Sequence, residues 1–197
     1  MPILVLPVLV LPGLGNSGPD HWQTQWERRD PQCRRLLQDE WDNPDCAAWV
    51  ARLDAELAQR DAPVVLAAHS AACPLIAHWA AGANARAHTA LQGALLVAPS
   101  DPAGPNYPKG PTGFNPVPRR RLPFASIVVA STNDPYVELV RAREYAGCWG
   151  STLVVLENAG HINVASGFGP WPEGFELLAR LRAGSETAYA VTSGGMA

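Results

Sequence analysis

Six short strand-like runs, Val8–Leu11, Arg34–Leu37, Pro63–Ala67, Ala94–Ala98, Ile127–Ala130 and Leu153–Leu156, alternate along the chain with longer helical patterns. The helical patterns lie near Asp20–Arg29, Cys46–Gln59, Ala71–Ala81, Val137–Ala146 and Gly174–Arg182. Short apolar runs bounded by turn residues read as buried strands, and strands alternating with helices build βα units around a parallel sheet. The clearest helix is CAAWVARLDAELAQR, where Trp49, Leu53 and Leu57 recur at intervals of four and put one apolar stripe against the sheet. The expected fold class is therefore α/β, a mainly parallel sheet with helices on both faces. A chain of 197 residues, 47% hydrophobic, can bury one sizeable core. Residues 1–183 are accordingly read as one domain and 184–197, small and polar, as a flexible tail.

Charge narrows the partners. A formal net charge of -3 offers no surface for a polyanion, so nucleic acid is not expected. The opening MPILVLPVLVLPGLG resembles the core of a signal peptide, but no Lys or Arg precedes it and Pro7 and Pro12 interrupt it. It is read as a buried strand, and no stretch reaches the roughly 18 to 20 apolar residues that a membrane span requires. Cys33, Cys46, Cys73 and Cys148 show no CxxC spacing and are expected to be reduced thiols. These readings together give a cytoplasmic location as the expectation.

One long segment, Pro99–Leu122, is too rich in proline and glycine to form a regular element. It is either a loop bordering a site or a long crossing. Arg119–Arg121 within it reads as a solvated turn rather than a phosphate clamp.

Three constellations compete for the chemistry. In PVVLAAHSAACPLIAHWA a buried strand runs through Ala68-His69-Ser70-Ala71-Ala72 directly into a helix, the layout of a nucleophile elbow. Such a turn lifts the serine oxygen above the sheet and needs small residues two positions either side, where alanines stand in place of the glycines of G-x-S-x-G. The alternative is a serine that only caps a helix. A serine nucleophile needs a base held in one tautomer by an acid. His161 follows the last strand in a glycine-rich loop and Asp134 follows the strand before it, giving the order Ser70, Asp134, His161; the rival acid is Asp101, and Asp134 could instead cap a helix beginning at Pro135.

The second constellation, Gly13-Leu14-Gly15-Asn16-Ser17-Gly18, is a literal G-x-G-x-x-G with Asp39 and Glu40 further on, as in dinucleotide-binding folds. Its third glycine should open a helix, whereas Pro19 and Asp20 look like the helix start here. The same turn can instead present the amide of Leu14 or Gly13 to an oxyanion, opposite that of Ala71. The third is a metal site, but His21, His69, His78, His88 and His161 show neither HxH nor HxxxH spacing.

The segments LPGLGNSGPDHWQTQWE, AHSAAC, STNDPYV and GHINVASGFGPWPEG together resemble the small serine hydrolases of the retinoblastoma-binding protein 9 and YdeN type. The resemblance runs from the first strand to about Leu181 and departs from the family at Ala68 and Ala72, where glycine is usual. It implies a single-domain, three-layer α/β-hydrolase fold with no cap domain and no cofactor, acting on small carboxylic esters. It places the nucleophile on Ser70, the acid on Asp134 and the base on His161.

The expected reaction is hydrolysis of a small ester through an acyl-enzyme. His21, Trp22, Phe168 and Trp171 are candidates to line a narrow, partly aromatic pocket, with aromatic packing as the alternative role. The other function classes are a binding or regulatory protein on a hydrolase scaffold, with Pro99–Leu122 as a partner surface, and a nucleotide-dependent oxidoreductase.

Overall fold

The computed structural model describes residues 6–82 and 89–184. Six strands form one sheet: β1 (Val8–Leu11), β2 (Cys33–Arg35), β3 (Val64–His69), β4 (Leu91–Val97), β5 (Ala125–Ser131) and β6 (Thr152–Leu156). Their order is β2-β1-β3-β4-β5-β6, and every neighbouring pair is parallel. The helices are α1 (Trp22–Arg29), α2 (Cys46–Ala58), α3 (Ala72–Gly82), α4 (Leu139–Trp149) and α5 (Pro172–Arg182). Among the described residues no cap domain interrupts this order.

The period-two geometry of a strand divides the core into two layers. Leu9, Leu11, Leu66, Ala68, Leu96 and Val128 pack on one face with Trp49 and Leu53 of α2, Leu75 and Trp79 of α3, and Tyr145 and Trp149 of α4. Val8, Val10, Val65, Ala67, Leu95 and Val129 pack on the other with Trp22 and Trp26 of α1 and Leu177, Leu178 and Leu181 of α5. Apolar residues at successive positions are therefore all buried, each on its own side, which is why these strands read as continuous apolar runs rather than alternating ones.

The structure moves several expected boundaries. The second strand ends at Arg35 rather than Leu37: Leu36 still donates its amide to Val10 O, but the Leu37 side chain is 62% exposed. β4 begins three residues earlier than expected, and Gly93 within it is required, because a Cβ there would lie 2.9 Å from Ala125 O on β5. α4 begins at Leu139 rather than Val137, because Asp134 Oδ1 accepts the Tyr136 amide and turns the chain first. Asp134 is thus not a helix cap. Pro99–Leu122 is irregular apart from one bridge between Asp45 and Thr112. The four cysteines are free thiols, three of them buried. Residues 185–197 of the expected tail, and His88, lie outside the described residues.

Candidate active site

The chain passes from β1 outward to β2 and returns to β3 on the other side of β1, so the strand order reverses between β1 and β3. Loops leaving two such strands diverge and open a crevice at their C-terminal ends. Here those loops are Gly13–Ser17 after β1 and the turn at Ser70 after β3.

Ser70 has φ +58°, a conformation costly for any residue with a Cβ. It is held there by its amide, which donates to Val97 O on β4, and by its carbonyl, which accepts from Cys73 N in the first turn of α3. Ala68 and Ala72 are both fully buried, so the strand-to-helix turn closes tightly with methyl groups where glycine is usual. The Ala71 amide donates to no group among the described residues.

The loop after β6 carries His161. Its amides are fastened one by one: Ala159 N to Ser131 Oγ at 3.0 Å, Gly160 N to Asn133 Oδ1 at 2.7 Å, and His161 N to Ser166 Oγ at 3.1 Å. The carbonyl of His161 accepts from His69 Nε2 at 2.9 Å, and that of Ile162 from the Trp22 indole at 2.9 Å. Ile162 itself sits at φ +49° with its side chain fully buried, an unusual conformation for a β-branched residue that this packing imposes.

These supports bring the three sequence candidates into one line. His161 Nδ1 lies 2.9 Å from both carboxylate oxygens of Asp134, and His161 Nε2 lies 2.9 Å from Ser70 Oγ. The Asp134 side chain is 0% exposed, and its Oδ1 also accepts the Tyr136 amide. A carboxylate at Nδ1 places the ring hydrogen there, leaving Nε2 as the acceptor for the serine hydroxyl. The rival Asp101 is engaged elsewhere, with Arg141 Nε at 3.1 Å and the Tyr145 hydroxyl at 3.1 Å.

Opposite Ser70, Gly13 approaches so closely that a Cβ on it would lie 2.7 Å from Ser70 Cβ, 2.9 Å from His69 O and 3.3 Å from Ala71 N. The Leu14 amide, like that of Ala71, donates to no group among the described residues, while the Gly15 amide is taken by Trp41 O. Two side chains unforeseen in the sequence hold this loop. Gln23 is fully buried on α1; its Nε2 donates to Leu11 O and Ala67 O, and its Oε1 accepts from Ser17 Oγ at 2.6 Å. Arg35 donates to Asn16 Oδ1 and Ser17 O while pairing with Glu27 at 2.6 Å. A polar residue on a helix flank reads as solvent-facing, so nothing in the pattern of α1 singles out Gln23.

The relay opens into a cleft of about 200 Å³. Its lining includes Leu14, Asn16 and His21 as well as Ser100, Tyr107 and Pro108, so the irregular Pro99–Leu122 segment does border the site. His21 is 6% exposed and accepts the Gln23 amide at its own Nδ1. Burial lowers its pKa to about 4, assisted by Arg35 and His161. Burial likewise holds His69 well below the ordinary histidine range.

Of the four expected pocket residues, only His21 lines the cleft. Trp22, Phe168 and Trp171 pack instead into an aromatic cluster with Trp26, at centroid distances of 4.5 Å for Trp22–Trp26, 5.4 Å for Trp22–Trp171 and 5.7 Å for Phe168–Trp171. The chain turns away after His161 through Gly167 at φ +84° and Trp171 at φ +41°, so closeness in sequence does not become closeness in space. The dinucleotide pattern also lacks its structural context, since α1 starts at Trp22 with His21 as its cap, three residues past Gly18. Among the described residues no His, Cys, Asp and Glu group could hold a metal ion, and no helix is long and apolar enough to cross a membrane.

The sequence profile of a serine hydrolase family matches residues 8–180. A YdeN-like hydrolase of Pectobacterium atrosepticum is 34% identical, with a TM-score of 0.78 over 90% of this chain and 91% of its own. The ydeN gene product of Bacillus subtilis, 18% identical, superposes with a TM-score of 0.70 over 90% of this chain and 99% of its own. A Bacillus cereus carboxylesterase, 17% identical, gives 0.57 over 91% and 88%. No curated protein sequence matches significantly. With its parallel six-stranded sheet, its serine on a strained strand-to-helix turn and a family match spanning nearly the whole domain, the chain belongs to the serine hydrolase family and has the α/β-hydrolase fold.

Proposed function

We propose that this hydrolase is a carboxylesterase that cleaves small esters through a covalent acyl-enzyme, with Ser70 as nucleophile, His161 as base and Asp134 as its acid partner. The observation that carries the reading is the unbroken relay from Ser70 Oγ to His161 Nε2 and from Nδ1 to Asp134, each step at 2.9 Å. Ser70 Oγ attacks the ester carbonyl carbon as its proton passes to His161 Nε2, and the buried Asp134 carboxylate stabilises the imidazolium. The carbonyl oxygen becomes an oxyanion facing the amides of Leu14, carried in by Gly13, and Ala71. As the tetrahedral adduct collapses, the bond to the alcohol oxygen breaks and His161 returns the proton to it. A water then gives its proton to His161 as it attacks the acyl carbon; the bond from that carbon to Ser70 Oγ breaks, Oγ takes the proton back from His161, and the carboxylic acid leaves. None of these steps requires a metal or cofactor.

Support for the ester as substrate comes from the family and from the carboxylesterase and esterase among the structural neighbours. A cleft of about 200 Å³ is smaller than the roughly 300–1,000 Å³ of typical ligand pockets and favours short acyl groups. The expected partner is therefore a small molecule. The test is hydrolysis of p-nitrophenyl esters from acetate to octanoate by wild type, Ser70→Ala and His161→Ala. Activity declining with chain length and absent from both folded variants is expected; equal rates in wild type and Ser70→Ala would overturn the reading.

A further inference from the structure

The loops that carry Asp134 and His161 are joined by more than that one pair. The backbone ladder between β5 and β6 ends at Ser131 and Leu156, with Thr132 N on Leu156 O as its last bond. Beyond it Asn158 and Gly160 take φ values of +51° and +54°, so the chain leaves its extended course and its amides need other partners. The Asn158 amide donates to Thr132 Oγ1 at 2.9 Å, the Ala159 amide to Ser131 Oγ at 3.0 Å and the Gly160 amide to Asn133 Oδ1 at 2.7 Å. His161 Nδ1 on the Asp134 carboxylate is the next pair in the run. Four consecutive residues of one loop are thus met by side-chain oxygens of four consecutive residues of the other.

Asn133 has a particular place in this run. It directly precedes Asp134 and holds the residue that directly precedes His161, so one carboxamide ties the backbone of the acid to that of the base. A backbone N–H can only donate, so the atom that Gly160 meets must be the carboxamide oxygen. Ser131 Oγ, accepting from Ala159, donates to the same oxygen at 2.9 Å and fixes it from behind. Ser131 is 1% exposed, whereas Asn133 is an exposed residue with no part in the core.

We infer that Asn133, backed by Ser131, is a positioning residue for the triad: it sets the separation of the two loops so that His161 Nδ1 meets Asp134 while Nε2 stays aimed at Ser70. The inference rests on the triad reading and deepens it. Asn133 touches no reacting atom and acts only through the placement of His161. Such placement matters to rate, since a misplacement of about 1 Å in a reacting group can cost about 10²-fold.

A fluorophosphonate probe reads the reactivity of Ser70 whatever the natural substrate. Ser70 Oγ bonds to phosphorus, the P–F bond breaks, fluoride leaves, and the serine proton passes to His161. Labelling rates over a range of probe concentrations separate the bond-forming rate constant from probe affinity. Asn133→Ala should lower that rate constant by about ten- to a hundredfold, with affinity changed by less than about threefold and a melting temperature close to that of wild type. Asn133→Asp keeps an oxygen acceptor for Ser131 and Gly160 and should recover most of the rate, which a general loss of stability would not explain. A rate constant for Asn133→Ala within about threefold of wild type, or an equal loss in Asn133→Asp, would overturn the positioning role while leaving the triad standing. Labelling that persists in Ser70→Ala, or none in folded wild type, would instead remove the triad reading and this role with it.

Discussion

Asp101 and Asp134 stand just beyond the C-terminal ends of the neighbouring strands β4 and β5, and in sequence they look interchangeable. Their surroundings differ in kind. Asp101 receives the Arg141 guanidinium, the Tyr145 hydroxyl and the Ala103 amide, so its charge is already met by a permanent cation and two donors. That arrangement, with burial as the larger cause, also pushes the Tyr145 phenol up. Asp134 is buried against an imidazole and one amide, and its charge is available for a proton arriving on that ring. The position after a strand end makes a carboxylate eligible for the site, and the partner it meets decides whether it serves chemistry or structure.

The sharpest division should come from the two asparagine variants. Asp134→Asn is expected to reduce kcat by about 10⁴, the cost of presenting the wrong tautomer, with little change in melting temperature. The reverse result, Asp101→Asn inactive and Asp134→Asn active, would break the comparison. Next in size is Gly13→Ala, whose methyl would have to displace the backbone at Ser70 and His69. Losing the alignment of one oxyanion donor should lower kcat by about 10² to 10³, with a smaller effect on KM; steady-state kinetics on the best p-nitrophenyl ester would show unchanged kcat if the turn is not used in this way. Asp101→Asn should then cost about 1–3 kcal/mol of stability in urea unfolding, through the weakened Arg141 and Tyr145 contacts, with kcat within about threefold.

The smallest effect concerns pH. His21 has a folded-state pKa of about 4 against an ordinary 6.5, so between these values the unfolded chain binds the proton more readily. Stability is therefore highest above about 6.5 and falls as the pH drops toward about 4. His69 acts in the same direction. In His21→Gln the loss of melting temperature between pH 7 and pH 5 should shrink without vanishing; an unchanged slope would show that His21 takes up its proton without opposition.

The inner strands were legible because full burial on both faces writes itself as an apolar run, and Ser70, Asp134 and His161 because each follows a strand within a few residues. Gln23 and Arg35 were not legible: a glutamine facing inward between two strand ends leaves no periodic trace, and its partners are backbone carbonyls. Ser100 and Tyr107 lie in a segment with no regular period, so only its path in space brings them to the cleft. Phe168 and Trp171 take the aromatic-packing role that the sequence leaves open, because the chain turns away after His161 and distance along it does not measure distance in space.

The Trp22 indole that fastens the Ile162 carbonyl belongs to a set of three, with Trp22–Trp26 centroids 4.5 Å apart and Trp26–Trp171 stacked at 5.9 Å. Indoles this close couple their electronic transitions, so the cluster is an intrinsic optical label on the loop that carries His161. A change in its circular dichroism on substrate addition would report that this loop moves during turnover, and a constant signal would report that it does not, with no dye or added probe.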